Sequence, residues 1–308
     1  MDMTAITKVK KKSNFHSNEI SVLADVVLKI IFTVMVFATC IYPLLIILSS
    51  SFTDNMTLLR EGYSPFPRNM SFEAYDFVLM KSGQLGRSYL VTIMNTAIGT
   101  IAGVAMMSMY AYAISRKDVK YANFFSLFAY ITFVFNGGLV PFYFVYSRVL
   151  GLSNTYWVMI IPYLVDVWYI VILRTYFANS IPHEVFESAT IDGAGELRIF
   201  VKIILPLAMP AIATVILFTI LKYWNDFQLP LYFIEESDKY NIQYMLYRIM
   251  SNMEFISQDT RSVRLEGPLP VESARMAMCV LGAGPLLVAY PFFQKFFVKG
   301  LTMGSVKG

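Results

Sequence analysis

The sequence predicts an all-α, polytopic membrane protein with six transmembrane helices, and three observations carry that reading. Of the 308 residues, 56% are hydrophobic and only 15% charged, against about 25% charged in a typical soluble domain. The apolar residues gather into runs long enough to cross a bilayer core, which takes roughly 20 residues as helix. The runs do not alternate in polarity as barrel strands do. A helix satisfies its own backbone groups in lipid, so a helical bundle follows.

The chain opens on a basic stretch, KVKKKSNFHSNEISVLADVV, that leads into the first run, Val26–Leu48. It resembles a signal peptide only superficially, because the apolar part is too long and no small-residue cleavage site follows. It reads as an uncleaved span. The remaining spans are Tyr89–Ile114, Phe124–Tyr146, Thr155–Phe177, Val201–Phe227 and Ala274–Phe297. The third is interrupted by FNGGLVP, where Gly137, Gly138 and Pro141 bend or break the helix. Irregular backbone at membrane depth is tolerated only against protein or a cavity. The expected organisation is a tail at 1–25, a six-helix domain at 26–298 and a second tail at 299–308. Two long loops, about 49–88 and about 228–273, carry Pro and Gly punctuation between apolar residues and are expected to fold as compact caps.

Basic residues orient the bundle. Lys8, Lys10, Lys11 and Lys12 precede the first span, Arg116, Lys117 and Lys120 follow the second, and Arg174, Arg198 and Lys202 lie around the stretch between spans four and five. Lys295, Lys299 and Lys307 close the chain. With six spans these segments share one side, which makes both termini cytoplasmic and the two long loops external. The two cysteines, Cys40 and Cys279, lie in apolar runs and suggest packing residues, not a disulfide framework. No His/Cys/Glu cluster has metal-ligand spacing, no nucleophile–base pair stands out, and the scattered basic residues give no support to nucleic-acid binding.

Between spans four and five, about 182–200, the chain turns polar: PHEVFESATIDGAGEL. Pro182 suits the first turn of a helix. Val185, Phe186, Ala189 and Thr190 fall on one face. Asp192-Gly193 then stops the helix, because glycine takes left-handed dihedrals at little cost, and a second helix leads into span five. Interfacial helices are usually rich in Lys and Arg. This one is acidic, which favours a groove on a soluble protein, with a plain structural turn as the alternative.

At these residues the sequence resembles the EAA loop of binding-protein-dependent ABC importer permeases. That motif reads EAA, three residues, Gly, nine residues, Ile-x-Leu-Pro. Here Glu187-Ser188-Ala189 is followed at the same spacing by Gly193 and then by Ile203-Ile204-Leu205-Pro206, with Ser188 as the one small-for-small departure. The resemblance extends through AYAISR, GLSNTYW and KYWNDFQLPLYF to the maltose-type, MalG-like carbohydrate-uptake permeases, and the tail FFVKGLTMGSVKG is most similar to the LplC/YtcP branch. It implies a cytoplasmic coupling helix-turn-helix in which Glu187, Ser188, Ala189, Asp192, Gly193, Ala194, Leu205 and Pro206 meet a separate ATPase. In that reading Ala189 and Ala194 allow close approach, Gly193 sets the angle and Glu187 meets a basic residue. It further implies a heterodimer with a second permease, two ATPase subunits, an extracellular lipid-anchored solute-binding protein, a carbohydrate or oligosaccharide cargo and a place in the cell membrane. No G-x-x-x-x-G-K-[ST] loop occurs in the chain, so ATP and Mg are expected on the partner and no cofactor on this subunit.

Polar residues inside spans are costly and usually face protein or a cavity. Asp166 lies mid-span and either lines the pathway or bonds a neighbouring helix. Lys222 and Asp226 are four apart, share a helical face and can partly neutralise each other. With Trp224 and Asn225 between them they read as a sugar-lining set, or as anchors at the outer interface. Tyr163 is a further pathway candidate, with Trp168 and Tyr169 weaker. Pro206 and Pro210 bend span five, as hinge or static kink. Gly99 and Gly103 form a close-packing face, within the subunit or against the second permease. Other readings are an importer permease for a non-sugar solute, a stand-alone carrier, for which no inverted repeat is visible, or a membrane enzyme.

Overall fold

The structure is a computed structural model that describes residues 22, 25–80, 82–116, 118–258 and 270–304. The basic residues Lys8, Lys10, Lys11 and Lys12, together with Lys117 and Lys307, lie outside the described residues. Apart from one isolated bridge between Thr53 and Met70, the regular structure described is helical. Three helices are long and apolar enough to cross a membrane, and three further bent pairs bring the number to six if each pair is one span. The chain forms two compact units, Met1–Phe77 with Gly267–Val280, and Val78–Glu266 with Leu281–Gly308.

In the first unit, helix α1 (Asp25–Ser51) contains a π turn at Phe37–Ile41, and its apolar window is unburied by the chain itself. Free Cys40 is exposed on it, as free Cys279 is on its own helix, so neither is packed within the chain as the sequence suggested. The loop that follows carries two short helices. Helix α2 (Asn55–Glu61) is capped by Asp54, whose carboxylate accepts from the Thr57 amide at 2.9 Å. Helix α3 (Glu73–Leu79) brings Tyr75 onto Phe52, with ring centroids 5.0 Å apart, and within 2.9 Å of the Ser51 hydroxyl. Asn55 Oδ1 accepts from the amides of Glu272 and Ser273 at 3.0 and 3.3 Å, and Tyr63 donates to Glu272 at 2.8 Å.

The second unit is built on α4 (Ser82–Ser115), a 34-residue helix that begins seven residues before the span the sequence predicts at Tyr89. The third span is broken: α5 (Ala122–Val134) and α6 (Leu139–Phe144, extended by a π turn to Val149) meet at 111° across Phe135–Gly138. Gly138 has φ 84°, the left-handed conformation that FNGGLVP supplies. The fourth is 3₁₀ turns at Tyr156–Met159 and Ile161–Tyr163 and then α7 (Val167–Ser180), bent by 42°. After α8 (His183–Ile191), the fifth is α9 (Glu196–Leu207) and α10 (Met209–Trp224), bent by 83° at Ala208 between Pro206 and Pro210. The segment between spans five and six carries α11 (Gln228–Phe233) and the amphipathic α12 (Ile242–Gln258). Most of its LEGPLP segment lies outside the described residues. Helix α13 (Val271–Gly304) forms the last span, with Pro285 and Pro291 inside it.

Helix α4 packs most extensively against α10 and α7. Gly99 and Gly103 make that approach possible, and they do so within the subunit. A Cβ on Gly99 would stand 2.3 Å from Tyr223 Cζ, and one on Gly103 3.1 Å from the Leu164 carbonyl oxygen. The core they border runs from Val104, Met107 and Ala111 through Ile170, Leu173 and Phe177 to Ile204, Ile212 and Val215. We predict that Gly99→Val lowers the thermal midpoint of the purified chain by overpacking, a loss of about 1–3 kcal/mol. Gly86→Val, where an added Cβ meets nothing within 4 Å, is expected to leave the midpoint unchanged.

Candidate functional site

Two clusters hold the residues singled out from sequence. The first is the polar elbow. Pro182 is the N-cap of α8, one place before the first turn where the sequence put it, and its extended backbone starts the helix cleanly. Phe186 and Ala189 are buried, Val185 is half-buried and Thr190 is exposed. Gly193 adopts φ 72°. Its amide donates to the Thr190 carbonyl and the Ala194 amide to the Ala189 carbonyl, both at 3.0 Å. Those two bonds close α8 in a Schellman motif. Gly195 is the N-cap of α9.

Ala189 is only 6% exposed and Ala194 packs against the same core. The close approach their small size permits is therefore to this chain's own helices. The elbow's outer face is made by Glu184, Glu187, Ser188, Asp192, Ile191 and Leu197; Ile191 is 86% exposed and Leu197 71%. Neither aliphatic residue stood out in the sequence, where exposure could not be read. Leu205 is half-buried against the core and Pro206 is exposed.

Three further residues, given no role in the elbow from sequence, fasten it. Tyr112 on α4 donates to Glu196 at 2.9 Å. Arg116 donates to the Tyr112 hydroxyl at 3.0 Å, to Glu196, and to both oxygens of Asp118. The hydrogen bonds to Asp118 hold its pKa above the ordinary guanidinium value. Its guanidinium also lies 5.7 Å from the Phe186 ring centroid, within cation–π range. Tyr112 in turn packs on Phe200, centroids 5.1 Å apart.

The second cluster lies where the broken spans four and five meet. Asp166 is the N-cap of α7, accepting from the Trp168 amide at 3.0 Å, and its other oxygen accepts from Lys222 at 2.7 Å. Lys222 Nζ lies 4.5 Å from the centroid of the Tyr163 ring, and the Tyr163 hydroxyl donates to Asp226 at 3.1 Å. Asp226 also accepts from the amides of Gln228 and Leu229 at 3.1 and 3.2 Å. The hydrogen-bonded ion pair of Lys222 is with Asp166, while Asp226 keeps a charge interaction with Lys222 without a direct bond. The reason is that α10 ends at Trp224, so Asp226 leaves the helical register and caps the start of α11.

Trp224 leaves this cluster altogether. It is buried, and its indole donates to the Gly282 carbonyl at 2.9 Å. It lines an apolar cavity of about 790 Å³ with Thr96, Val104, Phe200 and Ile216. Asn225 is exposed and donates back to the Leu221 carbonyl. Tyr169 stacks on Phe218, and Trp168 on Phe133. Among the described residues no group of three or more His, Cys, Asp and Glu could hold a metal ion.

Helices throughout the described residues, three of the candidate spans broken and a polar elbow set before the fifth, fit a membrane transport subunit. The chain belongs to the family described as binding-protein-dependent transport system inner membrane component, whose model matches residues 21–303. It is 34% identical to the polygalacturonan/rhamnogalacturonan transport system permease protein YtcP of Bacillus subtilis, over 90% of this chain and 96% of that one. It is 35% identical to protein LplC of the same organism, over 92% and 94%. A crystal structure of a bacterial ABC transporter involved in the import of the acidic polysaccharide alginate matches with a TM-score of 0.75 at 28% identity, covering 91% of this chain and 98% of that one.

The Lys222–Asp166 pair yields a test of its own. Lys222→Met should lower the thermal midpoint, because a carboxylate in an apolar span loses its counter-charge. The loss should be about 2 kcal/mol, below the ~3–5 of a fully buried pair because both side chains stay part-exposed. Adding Asp166→Asn should recover most of it. Equal midpoints for the single and double variants would remove the pair as the cause.

Proposed function

We propose that this chain is one permease subunit of an ATP-driven importer that carries a carbohydrate, most simply an oligosaccharide, across the cell membrane by alternating access. The observation that carries the reading is the elbow: the full EAA spacing, closed at Gly193 by a Schellman turn and presenting acids and two bare aliphatics on its outer face. Such a face suits a cleft on a soluble partner better than lipid, because interfacial helices carry basic polar faces.

In this reading ATP and Mg bind separate ATPase subunits, and the chain itself catalyses nothing. Both termini and the elbow are cytoplasmic. A second permease completes the bundle, and a lipid-anchored binding protein delivers cargo to the outer loops. ATPase closure pushes on Glu187, Ser188 and Asp192, with Ile191 and Leu197 seated in the cleft. The push passes through Gly193, Ala194, Leu205 and Pro206 into α10. Asp166, Tyr163 and Asp226 border the path, with Asn225 at its edge. The oligosaccharide cargo is supported by the names of YtcP and of the alginate importer.

Gly193 offers a clean test. An added Cβ there meets no atom within 4 Å, so the only penalty of a substitution is left-handed backbone, about 1–2 kcal/mol for an ordinary L-residue. Gly193→Val should reduce binding-protein-stimulated ATP hydrolysis and uptake, while Gly193→Asn, which tolerates that conformation, should keep most of both. Equal activity of the two variants and the parent would count against coupling at this turn.

A further inference from the structure

We infer that Arg116, with Tyr112 and Glu196, is the strut that makes the elbow move as one body with α4; this rests on the coupling role proposed above. Helix α8 has nine residues and buries one narrow stripe on the chain. A helix that short is marginal alone. A push on it reaches the bundle by two routes. The backbone route runs through α9, whose middle is a π turn at Phe200–Ile204, and then through the 83° bend at Ala208. A path that passes through a π turn and then a sharp bend absorbs displacement.

The side-chain route is short. From Phe186 on α8 and Glu196 on α9 it passes through Tyr112 and Arg116 to the end of α4, the 34-residue helix on which α7 and α10 pack. Arg116 is suited to hold it. Its side chain is 12% exposed, while the Glu196 and Asp118 side chains that it binds are 64% and 56% exposed. An exposed ion pair of this kind adds little stability. What a guanidinium contributes is geometry. Its fork spends Nε and Nη2 on Asp118 and Nη1 on Tyr112 and Glu196, and its plane lies near the Phe186 and Tyr112 rings. A lysine has neither the fork nor the plane. Arg116 is therefore a positioning residue, acting through the elbow on α4 and touching neither nucleotide nor cargo.

The test uses the complete complex in lipid nanodiscs, with MgATP and vanadate as the probe and amide hydrogen exchange as the readout. In the parent, trapping should slow exchange in residues 183–199 and in the last turn of α4, residues 110–115, each about tenfold, within the range of coupling between linked sites. In Arg116→Gln and Arg116→Lys the elbow should still respond and the α4 turn should not. Arg116→Glu with Glu196→Arg should restore part of the α4 response. Glu196→Gln guards against misfolding, because it leaves the ring contacts and the Arg116–Asp118 pair in place; it too should silence the α4 turn. A parent-like α4 response in Arg116→Lys and Glu196→Gln overturns the strut while leaving the coupling role standing. A parent elbow that does not respond to trapping overturns the coupling role itself.

Discussion

A backbone group freed inside a bilayer must find a partner, and this fold is arranged around that requirement. Water is absent there, so each unsatisfied amide or carbonyl costs several kcal/mol. Three of the spans are broken, and at the break in span four and at the end of span five side chains do the satisfying. Asp166 caps α7 through the Trp168 amide. Asp226 caps α11 where span five has ended, and its own carbonyl accepts from Asn241 at 2.5 Å. Tyr223 donates to the Ile160 carbonyl among the 3₁₀ turns at 2.8 Å, and Trp224 to Gly282 on α13. Polar residues that looked like a cargo-lining set are first of all what allows the helices to break.

Those breaks need an unbroken reference, and α4 is it. Its glycines let Tyr223 and Leu164 approach closely, and one of its hydroxyls continues the theme. Thr92 accepts from the Ile242 amide at 2.8 Å, tying α12 to it. At its other end Arg174 donates to the Ile114 carbonyl, and Arg116 and Tyr112 hold Glu196. One continuous helix thus collects contacts from α12, the broken spans and the elbow.

Much of this was legible in sequence for simple reasons. Apolar runs of membrane length need no tertiary context, and FNGGLVP breaks a helix wherever it stands. Asp192-Gly193 announces a left-handed turn because few other residues take one easily. The rest depended on residues far apart. The bonded partner of Lys222 is 56 positions away, not four, because the helix end at Trp224 removed the local one. Arg116 read as one more cytoplasmic cation, since Glu196 lies 80 residues on. The sharp bend at Ala208 was foreshadowed by two prolines, but prolines set where a helix yields and packing sets how far. Burial decided the faces of the elbow: the pattern identified Phe186 and Ala189 as one side, yet nothing local marked Ile191 and Leu197 as bare.

The consumption of polar groups by helix ends also bears on selectivity. On the proposed reading, what this subunit can offer a sugar is what its own backbone has left over. Asp226 already accepts three hydrogen bonds at its carboxylate and is 7% exposed. Trp224 faces an apolar cavity on the other side of its helix. The Lys222–Asp166 pair keeps partial exposure, and Asn225 lies open at the helix end. A pair and an amide can accompany hydroxyls past a constriction, but they are few directional contacts with which to tell one sugar from another. A permease half built this way reads cargo weakly. On that same proposed reading, discrimination falls to the binding protein or to the second permease.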